Sequence, residues 1–185
     1  MIWVPWEGPG LEHFRLTVHE DWIDADGLVV GVAGGRAFRV RYSLRCDRWW
    51  RVREVRAAGL DGEQPRLHLL ADGAGHWATA EGSPLPLLDG CLDVDLTVTP
   101  FTNTLPIRRL DWRRGASSEL TMAYVDVPSM DVTAERQRYT CLEKLANGGR
   151  FRFEVPATGF AVDLPVDRDG LVLDYPGLFR RVWAL

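Results

Sequence analysis

The sequence predicts an all-β fold: a single-domain antiparallel curved sheet, or open half-barrel, built from many short strands with little helix. Three observations support this prediction. Apolar and polar residues alternate with a period of two along much of the chain. Clusters rich in Gly, Pro, Asn and Asp interrupt the alternation at short intervals, as in antiparallel meanders. A chain of 185 residues with 46% hydrophobic positions suits one domain, so residues 1–185 are treated as one.

Four segments alternate cleanly, and each is predicted to be a strand with one buried face. They are FRVRYSLRCD (38–47), CLDVDLTVT (91–99), RFRFEV (150–155) and FAVDLPV (160–166). Residues Asn147–Gly149 predict a hairpin turn that leads into RFRFEV. Residues 134–146 could also form a short amphipathic helix, but their arginine-rich alternation and the strand that follows favour a strand.

Two further segments are apolar on both faces. LTMAYVDVP (120–128) has apolar residues at successive positions, and RWWRVREV (48–55) is predicted as a strand with Trp49 and Trp50 on opposite faces. A strand of this kind is buried on both sides, or one side lines an apolar cavity. The pattern therefore fits either two core layers or a container for a ligand.

The segment TPFTNTLPIRRL (99–110) predicts a corner between two sheets. Pro100 ends the preceding strand, and the Thr and Asn side chains that follow can bond to backbone groups in a bend. Pro106 then precedes Arg108 and Arg109. A corner of this kind lets a strand leave one sheet and join another.

Composition excludes several classes of protein. The net charge is −4, from 22 basic and 26 acidic residues, so nothing indicates nucleic-acid binding. The N-terminus has no secretory-signal pattern and no apolar run is long enough for a transmembrane segment. The three cysteines are far apart, which fits a reducing cytoplasm. We therefore predict a cytoplasmic protein with no cofactor and no metal site.

The acidic residues Asp93 and Asp95 are candidates for chemistry. On a strand they share one side, predicted to face solvent, about 6.6 Å apart. Paired glycosidase carboxylates lie about 5–9.5 Å apart, but such pairs come from elements that face each other across a cleft. The four histidines are scattered, and the motifs of hydrolases and of phosphate-binding loops are missing. We predict that the protein is not an enzyme; a hydrolase or lyase acting on a sugar- or lipid-like substrate through paired carboxylates is the alternative.

Tryptophan is unusually frequent, with 8 residues in the chain. Trp49 and Trp50 stand among arginines. An apolar platform with cations around it suits an amphiphile that has an anionic or a sugar head group. A buried tryptophan beside solvated arginines explains the same pattern.

Two long blocks carry a resemblance to a known family. LDGCLDVDLTVTPFTNTLPIRRL (88–110) and DGLVLDYPGLFRRVW (169–183) are similar to a bacterial family, formerly a domain of unknown function, that is described as glycolipid-binding. The resemblance covers about residues 41–183. It implies an all-β fold similar to the curved half-barrel of Lol-type lipoprotein carriers. It also implies that a glycolipid or another amphiphile binds in an apolar concave cavity of the sheet.

The partner predicted for this chain is therefore a glycolipid or another amphiphilic small molecule, bound by a monomer or homodimer. The candidate ligand-binding residues lie near the expected rim; they are Trp49, Trp50, Asp93, Asp95, Asn103, Arg108 and Arg109. A third alternative is a homo-oligomeric scaffold without a small ligand, which pairs through strand edges and tryptophans.

Overall fold

A computed structural model describes residues 1–61 and 66–184 of the chain. Strands make up 59% of the structure and helices 7%, which confirms the all-β prediction. The strands form two curved sheets, and neither sheet closes into a barrel. The division into domains is not tested by these features and stays a prediction.

The larger sheet has nine strands in the order β13-β14-β1-β2-β3-β4-β5-β6-β7. Its strands are β1 (Ile2–Pro5), β2 (Leu11–Val18), β3 (Trp22–Ala33), β4 (Arg36–Asp47), β5 (Val52–Gly59), β6 (Arg66–Ala71), β7 (Trp77–Thr79), β13 (Asp174–Tyr175) and β14 (Phe179–Trp183). All its neighbouring strands pair antiparallel. The C-terminal strand β14 pairs with β1, so both ends of the chain meet in one sheet.

The smaller sheet has five strands in the order β12-β11-β10-β9-β8. They are β8 (Asp93–Leu96), β9 (Ser117–Asp126), β10 (Asp131–Leu145), β11 (Gly148–Val155) and β12 (Phe160–Asp167). Strand β8 pairs with β9 in parallel, which departs from the purely antiparallel prediction. The other three pairs are antiparallel.

The alternation predicted most of these strands correctly. Residues 134–146 fall almost wholly within strand β10, and Leu145 pairs with Gly148 across the predicted hairpin turn. On β4, the predicted apolar face from Val40 to Cys46 is buried, while the arginines between are exposed. The two-sided segment in β9 is also buried on both faces at Met122 and Ala123.

The predicted strand RWWRVREV is wrong over its first residues. Strand β4 ends at Asp47, and the chain turns before β5 begins. Asp47 Oδ1 accepts hydrogen bonds from the backbone N–H groups of Trp49 (2.9 Å) and Arg51 (3.1 Å). Trp50 has a φ of 66°, a conformation that belongs to a tight turn and not to a strand. The Asp47 side chain thus bends the chain where the apolar pattern continues.

The predicted corner in TPFTNTLPIRRL is also wrong, because the segment is helical. A 3₁₀ turn, Pro100–Asn103, runs into the helix α1, Thr104–Arg109. Thr99 caps the turn, since its Oγ1 accepts a hydrogen bond from the N–H of Phe101 (3.1 Å). Both prolines stand in first turns, where a missing N–H breaks no helical hydrogen bond.

The core forms two hydrophobic clusters on opposite faces of the smaller sheet. One joins the inner face of the larger sheet to Val94, Leu96, Ala123 and Val125. The other lies on the opposite face of β9–β12 and contains Met122, Tyr139, Phe151, Phe153 and Leu164. The segment from Pro100 to Arg109 reaches both, with Phe101 and Leu105 in the first and Ile107 in the second. In the part of the chain that the structure describes, none of the helices has the length and apolar character of a membrane span.

Candidate ligand-binding cleft

Two cavities of about 450 Å³ and 390 Å³ adjoin each other between the sheets, and we refer to the pair as the cleft. Both are bordered by Thr97, Tyr124, Leu178 and Phe179, so these residues mark the junction. We name the larger cavity the aliphatic half; its apolar wall includes Leu11, Val29, Val30, Val32, Ala33 and Val98. We name the smaller cavity the aromatic half; its wall includes Phe153, Phe160, Tyr175, Asp95, Asn103 and Glu135.

The aliphatic half lies where β2 begins and the β3–β4 hairpin ends. Gly31 allows the Phe38 ring to lie against the β3 backbone, because a Cβ at residue 31 would be 3.0 Å from ring atom Cζ. Three apolar side chains at this cavity stay partly open to solvent: Leu11 (39%), Val32 (49%) and Leu178 (44%). Grouped exposed apolar residues at a cavity are typical of a binding surface for an apolar group.

A buried carboxyl group, Glu12, lines the aliphatic half. The alternation of β2 places it on the inward face beside Phe14, and it is only 2% exposed. The Tyr42 hydroxyl donates a hydrogen bond to Oε1, whereas Oε2 has no partner among the described residues. Burial raises the pKa of Glu12 to about 8, against the opposing effect of the neighbouring hydroxyl groups of Tyr42 and Thr99. This carboxyl group therefore has an unused bonding position beside the cleft.

The aromatic half is walled by a group of contacting rings. The centroid of Phe153 lies 6.1 Å from that of Phe160 and 6.0 Å from that of Tyr175. Tyr175 in turn lies 6.3 Å from Phe179. These pairs meet edge to face, an arrangement that aromatic rings favour. Because Phe160 is 38% exposed, part of this aromatic wall is open to the cleft.

Polar side chains lie on another wall of the aromatic half and hold one another in place. Gln137 Nε2 donates to Asp95 Oδ2 (2.6 Å) and to Glu135 Oε2 (2.9 Å). Thr102 Oγ1 donates to Asp95 Oδ1 (3.0 Å). Burial raises the pKa of Asp95, and the hydrogen bonds from Gln137 and Thr102 oppose that shift. Asn103 Oδ1 accepts a hydrogen bond from the Tyr139 hydroxyl (2.9 Å). Asp95 and Asn103 are thus oriented by their neighbours.

The predicted solvent-facing row of acids is wrong. Asp93 is 1% exposed and Asp95 is half-buried, because the segment that ends in α1 covers this face of β8. Arg109, in the last turn of α1, donates to both oxygens of Asp93, at 3.0 Å and 2.6 Å. Asp95 borders the aromatic half and Asp93 does not. The two carboxylates therefore do not face one substrate site together.

The remaining candidates lie outside the cleft. Trp50 is buried under the Arg108 guanidinium, which is 5.1 Å from the ring centroid. Trp49 is 59% exposed and Arg48 lies 5.0 Å from its ring. Trp49 and Arg109 border a separate surface depression. Of the seven predicted residues, the structure brings only Asp95 and Asn103 to the cleft, and the ligand roles of the seven stay predictions.

The charged side chains that line the cleft are all acidic. None of the 22 basic residues of the chain is among the described residues that line it. Five acidic residues do line it: Glu7, Glu12, Asp95, Asp126 and Glu135. Across residues 1–61 and 66–184, no group of His, Cys, Asp or Glu converges in a way that could hold a metal ion.

The sequence reasoning missed Glu12, although a signal was present. In LEHFRLTV the positions of Glu12, Phe14, Leu16 and Val18 share one face, so a carboxylate falls on an apolar face of a strand. Tyr124, Glu135 and Phe160 were also missed. Their meeting depends on how three strands and the C-terminal segment pack, which no local pattern reports.

The family model described as "Putative glycolipid-binding" matches residues 1–181. The chain belongs to that family. A crystal structure of a DUF1089 family protein from Pseudomonas aeruginosa has 37% sequence identity to this chain. The match covers 96% of this chain and 95% of that one, with a TM-score of 0.82. No curated protein matches the chain. The family assignment made from the two sequence blocks is therefore confirmed, while the likeness to Lol-type carriers stays a prediction.

Proposed function

We propose that this protein binds a glycolipid or a related amphiphile, with an acyl chain in the aliphatic half of the cleft. The observation that carries the proposal is the pair of adjoining cavities between the sheets, with an apolar wall and exposed apolar side chains beside it. The description of the family points to the same class of ligand. Cavities of about 300–1,000 Å³ are typical of sites for small molecules, and both halves fall within that range.

The expected affinity follows from the apolar area that the ligand buries. Each buried CH₂ group contributes about 0.8 kcal/mol, so a chain of about ten groups contributes about 8 kcal/mol. Ordering the chain and fixing the ligand in place offset part of this free energy. We expect dissociation constants of about 1 μM or weaker for simple single-chain amphiphiles.

A variant that fills the aliphatic half tests the proposal. The uncharged probe N-phenyl-1-naphthylamine, which fluoresces in apolar sites, is titrated into the wild-type protein and into Val32→Trp. Val32 borders the aliphatic half and is exposed, so the larger ring occupies the cavity with little effect on the core. Val182→Trp is the matched control, since Val182 is an exposed valine of the same sheet that does not line the cleft.

We expect Val32→Trp to weaken probe binding by about tenfold or more and Val182→Trp to bind like the wild type. Equal binding by all three proteins would show that the probe does not use the aliphatic half. A wild-type protein that binds no probe and no single-chain amphiphile would overturn the proposal.

A hydrolase is the second candidate, favoured by Glu12. A carboxyl group with a pKa raised by burial, beside an open cleft, is suited to act as a general acid. The test is to incubate the protein with an alkyl glucoside and to follow free glucose by NMR, with Glu12→Gln as the control. Sugar release by the wild type alone would favour this candidate; no release by either protein would reject it for this substrate. The prediction that the protein is not an enzyme stays a prediction, as do the cytoplasmic location and the monomer or homodimer.

A further inference from the structure

We propose that the aromatic half of the cleft is a subsite for an uncharged, hydroxyl-rich head group, and that the cleft rejects amphiphiles with anionic head groups. This inference rests on the proposed function, because it assigns the part of the ligand that lies beyond the acyl chain. It also places the junction residue Tyr124 between head group and chain.

The first argument is the combination of groups around the aromatic half. The partly exposed ring of Phe160, with Tyr175 beside it in the wall, offers an apolar surface that matches the C–H face of a sugar ring. Asp95, Asn103 and Glu135 offer oxygen and nitrogen atoms that bond to hydroxyl groups. An acyl chain would use the rings and leave those polar atoms unpaired, which costs free energy. A ring of carbon atoms that carries hydroxyl groups uses both.

The second argument is the charge of the cleft. A phosphate or sulfate group requires Arg or Lys side chains, or several free backbone N–H groups, for recognition. The 22 basic residues all lie elsewhere, and within the described residues the carboxylates of the cleft form no ion pair. Glu7 and Asp126 border the aliphatic half, and Asp95 and Glu135 border the aromatic half. An anionic group in either half of the cleft would lie near acidic side chains, with no basic side chain of the described residues lining the cleft to offset the repulsion.

The third argument is that one carboxyl oxygen of Glu12 has no hydrogen-bond partner among the described residues. Its Oε2 is buried and has no partner among the described residues, although the side chain borders the cleft. The Tyr42 hydroxyl contacts both Glu12 and Thr99, and Thr99 borders the aromatic half, so Glu12 lies close to the junction. A ligand hydroxyl both donates and accepts hydrogen bonds, so a small rotation of the Glu12 side chain toward the cavity would let it pair with Oε2 whether the carboxyl group is protonated or not.

The experiment compares head groups on one chain length. Decyl glucoside, decyl phosphate and decyltrimethylammonium compete, each below its micelle concentration, for N-phenyl-1-naphthylamine bound to the wild-type protein. We expect decyl glucoside to bind about tenfold more tightly than decyl phosphate, because the phosphate group lies near acidic side chains and finds no basic partner among the described residues of the cleft. Added salt should narrow that difference, since salt screens the repulsion of the phosphate.

Variants separate the head-group subsite from the chain site. Phe160→Leu removes a ring and Glu135→Gln removes a charge in the aromatic half, and Asp163→Asn removes a charge on the same sheet outside the cleft. We expect Phe160→Leu to weaken the binding of decyl glucoside by about fivefold and to leave the binding of the naphthylamine probe unchanged. Glu135→Gln should improve the binding of decyl phosphate. Asp163→Asn should leave the binding of both decyl phosphate and decyl glucoside unchanged.

Each contrary outcome has a distinct meaning. If the probe binds but decyl phosphate binds as well as decyl glucoside, the head-group inference is overturned and the proposed function survives. Tighter binding of decyltrimethylammonium than of decyl glucoside also overturns it, because the carboxylates would then form a cation site. If no amphiphile and no probe binds, the proposed function fails and the inference fails with it.

Discussion

The ring of Tyr42 lies against the backbone of Gly27, and a Cβ atom at residue 27 would stand 2.1 Å from ring atom Cε1. The two residues face each other across strands β3 and β4. The absence of a side chain at Gly27 lets the ring extend along the sheet, and its hydroxyl reaches Glu12 on β2. A glycine in the middle of a strand thus positions the hydrogen bond that holds the buried carboxyl group of the cleft.

We predict that Gly27→Ala destabilises the protein through the displaced Tyr42 ring. Forcing a methyl group into a packed core costs about 1–3 kcal/mol, and the lost hydrogen bond to buried Glu12 adds about 1–3 kcal/mol. Gly31→Ala is the matched comparison on the same strand: its Cβ would lie 3.0 Å from half-buried Phe38, whose ring has room to move. Urea unfolding of both variants should show a clearly larger loss for Gly27→Ala; equal losses would contradict this view of the Tyr42 contact.

The ion pair of Asp93 and Arg109 is predicted to be critical for stability. Both side chains are at least nine-tenths buried, so removal of one partner leaves the other charge unpaired away from water. We expect Asp93→Asn or Arg109→Met to cost about 3–5 kcal/mol of unfolding free energy. Glu119→Gln, which breaks exposed ion pairs between β9 and β10, should cost less than about 1 kcal/mol.

A double-mutant cycle with both substitutions gives the coupling of the pair. We expect the double variant to be more stable than the sum of the two single losses predicts, because neither charge is left alone. Strictly additive losses would show that Asp93 and Arg109 do not depend on each other.

Glu12 is predicted to make stability fall as pH rises. Its pKa is raised from the ordinary 4.5 to about 8, so between these values the folded protein binds a proton that the unfolded chain releases. The unfolded state then binds fewer protons, and the free energy of unfolding decreases with pH by about 5 kcal/mol across the window. Tyr42 and the N-terminal ammonium group face Glu12 and oppose the shift only in part.

The measurement is the difference in unfolding free energy between the wild type and Glu12→Gln from pH 5 to pH 9. Gln cannot ionise, so this difference isolates Glu12 from the other buried acids. We expect the two proteins to be similar near pH 5 and the variant to be more stable by several kcal/mol near pH 9. A difference that does not change with pH would show that Glu12 titrates normally.

The turn between β4 and β5 is predicted to depend on Asp47. Its Oδ1 accepts two backbone N–H groups, and its Oδ2 pairs with Arg53 at 3.0 Å. We expect Asp47→Ala to cost about 2–3 kcal/mol, because the turn N–H groups lose their acceptor, and Asp47→Asn to cost about 1 kcal/mol. Thermal unfolding measures which of the two variants is less stable. Equal costs would assign the whole effect to the Arg53 pair.

Much of the fold was predictable because strand faces are a local property. Period-two alternation predicted β4, β10, β11 and β12, since each has one face on a core and one in water. The errors fall where side chains override the apolar pattern. Asp47 turns the chain in RWWRVREV, and Thr99 with Pro100 begins a helix in TPFTNTLPIRRL.

The candidate site was only partly predictable, because it is assembled from distant segments. Asp95 and Asn103 were singled out, and both lie at the cleft. The predicted ligand-binding tryptophans, Trp49 and Trp50, instead stack with arginine side chains outside the cleft. Glu12 carried a visible signal, as a carboxylate on an apolar strand face, yet its meeting with Tyr42 required the register of β2, β3 and β4.

The sequence by itself determined the all-β class, the family and the faces of most strands. The reason is that the alternation of apolar and polar residues and the two distinctive blocks are local features of the sequence. The tertiary structure alone decided that Asp93 is sealed by Arg109, that a helix covers one face of β8, and that the cleft is acidic. The physical reason is that burial and charge depend on which residues meet. Asp93 and Asp95 alternate identically in the sequence, yet one is enclosed in an ion pair and the other borders a cleft.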